Sequence, residues 1–145
     1  MTDDQGWGDT GYNGHPHLKT PSLDRMSREG VTFTRFYSAA AMCSPTRGSC
    51  YTGRNPYRFG VTFAMKGMLE ATEVPISTVL KRKGYTTGHF GKWHLGTTPK
   101  KQGFDVSVDY RRLPGFKGHR GPDGAYLSDV LTDRCIDFIE ASKDE

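Results

Sequence analysis

Thr20-Pro21-Ser22-Leu23-Asp24-Arg25-Met26-Ser27-Arg28-Glu29-Gly30 runs directly into Val31-Thr32-Phe33-Thr34-Arg35-Phe36-Tyr37, and the change of pattern between the two halves sets the fold class. Pro21 suits a first helical turn and Gly30 a stop, which predicts a helix over 22–29 with Gly30 at its C′ position. The second half alternates and predicts a strand over 31–37 with Val31, Phe33 and Tyr37 inward. Working outward, Pro45 opens a short helix over 46–52, and Gly53 ends it. Ile76, Val79 and Leu80 recur at helical spacing over 76–83, before Gly84 and a strand-like run over 85–91. Residues 99–124 show little periodicity and read as a surface excursion. Residues 125–141 place Leu127, Val130, Leu131, Ile136, Phe138 and Ile139 on a broad apolar helical face. Strands alternating with helices make the class α/β. Two strands are few for a sheet that must bury both faces, so the chain reads as part of a larger sheet.

Composition narrows the function. Of 145 residues 34% are hydrophobic and 18 are glycine; with a mean hydropathy of −0.65, the chain is rich in turns and lean in core-forming residues. No stretch approaches the roughly 20 apolar residues of a membrane span, and no signal-peptide pattern is present. The net charge of +4 is spread over short runs such as Lys81-Arg82-Lys83 and Arg111-Arg112, which read as solvated faces. No RNP motif, zinc-finger spacing or basic heptad points to nucleic acid. Cys43, Cys50 and Cys135 are too few for a disulfide framework and contain no CxxC metal pair. His15, His17, His89 and His119 read as structural or surface residues.

The chemistry concentrates in Cys43-Ser44-Pro45-Thr46-Arg47-Gly48, followed by Tyr51-Thr52-Gly53-Arg54. A Cys just ahead of a Pro-opened helix sits where amide N–H groups and the helix dipole favour negative charge. Arg47 follows one turn later on the same face. A nucleophile beside a fixed guanidinium is one reading; a buried free Cys with a surface Arg is the other. Lys92 and His94 bracket Trp93, and in an extended segment both would share one face. They are either a polar pair of a site or an exposed Lys with a structural His. A phosphate-binding loop is excluded, because Thr86 takes the first Gly position and Trp93 follows Lys92.

These blocks, in this order, resemble the type I, formylglycine-dependent sulfatases of the alkaline phosphatase superfamily, specifically arylsulfatase and N-acetylgalactosamine-6-sulfatase-like members. C-x-P-x-R with T-G-R is similar to that family's signature, with Thr46 and Tyr51 standing where Ser and Leu are common. Asp3-Asp4-Gln5-Gly6-Trp7-Gly8-Asp9, the 20–26 helix, the 30–38 run and Gly84-Tyr85-Thr86-Thr87 through Gly91-Lys92-Trp93-His94-Leu95-Gly96 match its other blocks. The resemblance implies an incomplete N-terminal part of a mixed sheet sandwiched by helices. Residues 1–145 would then be the N-terminal portion of a catalytic domain, with the first strand and the C-terminal part lying outside them.

The resemblance further implies that a formylglycine-generating enzyme oxidises Cys43 to an aldehyde whose hydrate attacks the sulfur of a sulfate ester. Arg47 would stabilise that hydrate, Lys92 would contact the sulfate, and His94 would position or deprotonate the nucleophile. Asp3, Asp4 and the oxidised Cys43 would hold Ca²⁺, with Mg²⁺ as the alternative; without the resemblance the Asp pair reads as a solvated acidic patch. Sulfated small molecules or glycans are the implied substrates, and export to periplasm, cell surface or lysosome the implied location. A phosphonate or phosphodiester hydrolase of the same superfamily and an inactive truncated product are the competing readings. The chain alone is expected to be inactive and poorly stable.

Overall fold

The computed structural model describes residues 1–64 and 67–143, which fall into two units, Met1–Ser38 and Ala39–Glu145. In the first, a 3-10 turn at Gly11–Asn13 precedes helix α1, Pro21–Glu29. Asp24 ties them together: its Oδ1 accepts from Tyr12 N at 2.9 Å and from Thr20 Oγ1 at 2.7 Å. Helix α1 starts at Pro21, one residue ahead of the predicted 22–29, and ends at Glu29 as predicted. Gly30, however, has φ −113°, an extended value that requires no glycine.

The strand predicted over 31–37 does not form. Its residues lie in coil and turn, with Val31 80% and Phe36 82% exposed. Alternation licenses a strand only where a neighbour takes up its amides, and no strand pairs with this segment among the described residues.

The second unit holds α2 (Cys43–Thr52), α3 (Pro56–Phe59), α4 (Ile76–Lys81), β1 (Gly88–Phe90), β2 (Val106–Val108) and α5 (Leu127–Ser142). Helix α2 begins at Cys43, three residues ahead of the predicted start. Pro45 therefore sits within the first turn rather than opening it, as the first four amides of a helix have no internal acceptor and proline loses nothing there. Gly53 closes α2 at φ 67°, the left-handed value that favours glycine. Helix α4 is two residues shorter than predicted, and β1 takes up only 88–90 of the 85–91 run.

β1 and β2 pair in parallel, with Gly88 opposite Val106, His89 opposite Ser107 and Phe90 opposite Val108. β2 is a correction: it lies inside the stretch read as a surface excursion. Pro99, Gln102 and Phe104 of that stretch are also buried. Phe59, Val61, Leu69, Trp93, Leu95 and Phe104 form the core, with Tyr51 packed against it. Gln102 fastens the crossover, its Nε2 donating to Leu69 O at 2.7 Å and its carbonyl accepting from Ser77 Oγ at 2.9 Å. Helix α5 covers β1 through Phe138, whose ring centroid lies 5.6 Å from that of Phe90.

Asp105 joins α4 to the strand pair. Its Oδ2 accepts from Thr87 N at 3.0 Å and Thr87 Oγ1 at 2.9 Å, and its Oδ1 pairs with Lys81. The Lys81 bond, then the Thr87 bonds, hold its carboxyl down to about 2. Since the unfolded chain binds this proton first, stability falls as the pH drops from about 4 through about 2. Asp105→Asn should remove that dependence and cost about 1 kcal/mol at neutral pH, the carboxylate being partly solvated. Urea unfolding of both proteins across pH 2 to 7 measures it.

Candidate active site

Helix α2 delivers Cys43 as its first residue. Met42 stands at the N-cap with φ −157° and ψ 146° and gives no side-chain cap. Its carbonyl accepts from Thr46 N at 3.3 Å, while Thr46 Oγ1 donates to Ala40 O at 2.7 Å, so the approach to Cys43 is tied down from both ends. Ser44, Pro45, Arg47 and Gly48 are buried and Cys43 is half-buried. Gly48 is required by proximity: a Cβ there would come within 2.6 Å of the Phe59 ring, so α2 can sit this deep only with hydrogen at that position.

The other wall leaves the end of β1. Gly91 N donates to Val108 O at 2.8 Å, and the chain then alternates: Lys92 half-buried, Trp93 buried, His94 half-buried, Leu95 buried. That alternation is the shared face predicted for Lys92 and His94. The backbone departs from a plain extended run at His94, whose φ is 57°. A non-glycine residue in this region costs energy and is held by its surroundings. Here the buried Trp93 and Leu95 flank it, and the turn brings His94 Nδ1 to 3.2 Å from Cys43 Sγ. These two residues are 51 apart in sequence.

Arg47 binds the two walls together, its Nη1 donating to Lys92 O at 2.8 Å. It is 6% exposed, so it is a structural clamp as well as a local positive charge. Tyr51, His89, Trp93 and Phe104 stack next to it, with ring centroids 5.1 to 6.0 Å apart. Burial and then the Arg47 charge push His89 below the usual histidine range. Burial raises the Tyr51 hydroxyl, with Arg47 opposing it. His89 is thus a neutral core residue.

Lys92 and His94 open onto a cavity of about 530 Å³ that Asp109, Tyr110 and Arg111 line as well. The last three were not singled out by sequence, where Arg111-Arg112 is only a short basic run. Asp3 and Asp4 belong to the first unit and are exposed, Asp4 with a left-handed φ of 54°. Adjacent carboxylates at such a turn suit a hard cation in ligand type, but a calcium shell takes about six to eight oxygens. No group of three His, Cys, Asp or Glu side chains able to hold a metal forms among the described residues. His15 closes a turn, as Pro16 suggests, its Nδ1 accepting from Leu18 N at 2.8 Å.

A family model described as Sulfatase matches residues 1–145. N-acetylgalactosamine-6-sulfatase of Mus musculus is 44% identical over 121 residues, covering 72% of this chain and 23% of that protein. Arylsulfatase A of Homo sapiens is 43% identical over 129 residues, covering 84% and 25%. The solved structure of BT4656 in complex with its substrate D-glucosamine-2-N,6-O-disulfate superposes with a TM-score of 0.82 at 30% identity, over 97% of this chain and 30% of that one. The chain therefore spans about a quarter of the length of these curated relatives.

Proposed function

Because this chain belongs to the sulfatase family, with the α/β fold of the alkaline phosphatase superfamily, we propose that it forms part of a sulfuric ester hydrolase acting on carbohydrate sulfates. The contact that carries this reading is Cys43 Sγ to His94 Nδ1 at 3.2 Å, at the uncapped start of α2. Formylglycine formed from Cys43 supplies a hydrate nucleophile that can release the sulfate it accepts, which a simple alcohol cannot.

The chain's own residues set the stage for that group. His94 is held by its backbone turn so that Nδ1 exchanges a proton with the side chain at position 43. The first amides of α2 and the Arg47 guanidinium favour anionic charge there. Lys92, half-buried and lining the cavity, would neutralise a sulfate oxygen. Asp3, Asp4 and the oxidised residue 43 would supply part of a Ca²⁺ or Mg²⁺ shell, and the ion would offset sulfate charge. The carbohydrate class rests on the names of the relatives, one of which has an amino-sugar disulfate as its substrate. Maturation would call on a formylglycine-generating enzyme as partner, and export to periplasm, cell surface or lysosome is the location that the family resemblance implies. No helix among the described residues is long and apolar enough to cross a membrane.

The test uses the full-length protein co-expressed with a converting enzyme. Mass spectrometry of the Cys43 peptide should show thiol-to-aldehyde conversion. Turnover of 4-nitrophenyl sulfate should exceed that of phosphodiester and phosphonate esters by about 10-fold or more. An unconverted thiol sinks the reading, and faster phosphodiester turnover moves the protein to the neighbouring hydrolase class.

A further inference from the structure

The cavity in front of Lys92 and His94 has a second wall that the sulfate chemistry does not use. β1 and β2 end together, Phe90 opposite Val108. Lys92 and His94 follow the first end, and Asp109, Tyr110 and Arg111 follow the second. Both groups therefore leave the carboxyl ends of parallel strands, where ligand sites of α/β sheets form. The second wall is built to stay in place. Asp109 Oδ1 accepts from Arg111 N at 3.0 Å and caps a 3-10 turn at Tyr110–Arg112.

Within that turn Arg111 Nε donates to Tyr110 Oη at 3.1 Å, and its guanidinium carbon lies 5.6 Å from the Tyr110 ring centroid. This hydrogen bond, first among the local effects, raises the Arg111 pKa further. Holding Nε on one side leaves the two terminal nitrogens directed as a fork, and neither has a hydrogen-bond partner among the described residues. Such a fork matches the paired oxygens of a sulfate or carboxylate. Asp109 is the one acidic side chain among the described residues that line the cavity and offsets one positive charge, so with Lys92 and Arg111 this lining remains net cationic.

We propose that Tyr110 and Arg111 read the part of the substrate that carries the scissile ester, selecting saccharides with a second anionic group. This rests on the sulfatase reading for the position of the first sulfate. Lys92 takes the scissile sulfate, and Arg111, which lines the same cavity, takes a second sulfate or a carboxylate of the same molecule, with the sugar against the Tyr110 ring.

Two measurements on the full-length protein test it. With converted enzyme, kcat/KM is compared for a disulfated monosaccharide, its monosulfated counterpart and a monosulfated uronosyl disaccharide. In Arg111→Ala the preference for the doubly anionic substrates over the monosulfated one should fall about 10-fold, mainly through KM, and Arg111→Lys should recover part of it. Which doubly anionic substrate loses more identifies the anion as sulfate or carboxylate. With unconverted protein, calorimetric affinity for the disulfated and monosulfated sugars should show the same change in ratio, whether or not the enzyme turns over. Equal losses on all ligands, in variants with unchanged melting temperature, overturn the proposal. Binding ratios that respond to Arg111 in a protein without sulfatase activity would instead overturn the reading of function and leave this site standing.

Discussion

Cys43→Ser in the full-length enzyme is expected to lower steady-state turnover of aryl sulfates on the order of 10⁴-fold or more, with the fold intact. The fold should survive because Cys43 is half-buried at a helix end and makes no disulfide, and serine is close to cysteine in size and in helix propensity. The chemistry should not. A serine hydroxyl within reach of His94 can attack the sulfur and expel the alcohol, leaving a sulfate ester on the protein. A formylglycine hydrate retains a second hydroxyl whose deprotonation breaks the bond to sulfate, and serine has none. The variant should therefore release about one equivalent of nitrophenol and stop, with the sulfate found on the peptide containing residue 43. Continued turnover near the rate of the converted enzyme would show that residue 43 is not the nucleophile. His94→Ala in the same assay removes the partner at 3.2 Å; its effect falls on how fast the burst forms rather than on whether the sulfate is retained.

That contact marks the boundary of what the sequence discloses. Helices α1, α2 and α4 are readable from Pro and Gly punctuation, because those residues act through local backbone geometry. The approach of Cys43 to His94 is a consequence of packing: Gly48 lets α2 settle against Phe59, and the buried Trp93 and Leu95 turn His94 back toward the helix. No local pattern encodes it. β2 is missed for a different reason, since Val106-Ser107-Val108 is too short for periodicity to register. It becomes a strand through pairing with β1 and through the anchoring of Asp105 on Thr87. The converse error is the 31–37 segment, where a clean alternation finds no partner. Tyr110 and Arg111 look like ordinary surface residues until the end of β2 brings them to line the same cavity as Lys92.

Arg47→Ala tests whether the signature arginine acts through its charge, its clamp, or both. The clamp predicts a loss of about 2 to 4 kcal/mol, because truncation empties a buried site and leaves Lys92 O without its donor at 2.8 Å. The charge predicts something independent. His89 is held below the usual range by burial first and Arg47 second. Removing the cation should raise the His89 pKa toward its ordinary value, a shift NMR titration resolves. In the parent protein the unfolded chain takes up the His89 proton before the folded one, so stability falls as pH drops below about 6.5. Arg47→Ala should show a lower stability and a weaker dependence on pH in that window. Arg47→Lys keeps the charge on a point donor without the planar fork. It should leave His89 depressed and still lose part of the clamp. If Arg47→Lys turns over sulfate nearly as well as the parent, the charge matters most for catalysis. If it matches Arg47→Ala in rate while keeping His89 depressed, then what α2 needs from Arg47 is the geometry that holds Lys92 and His94 against Cys43.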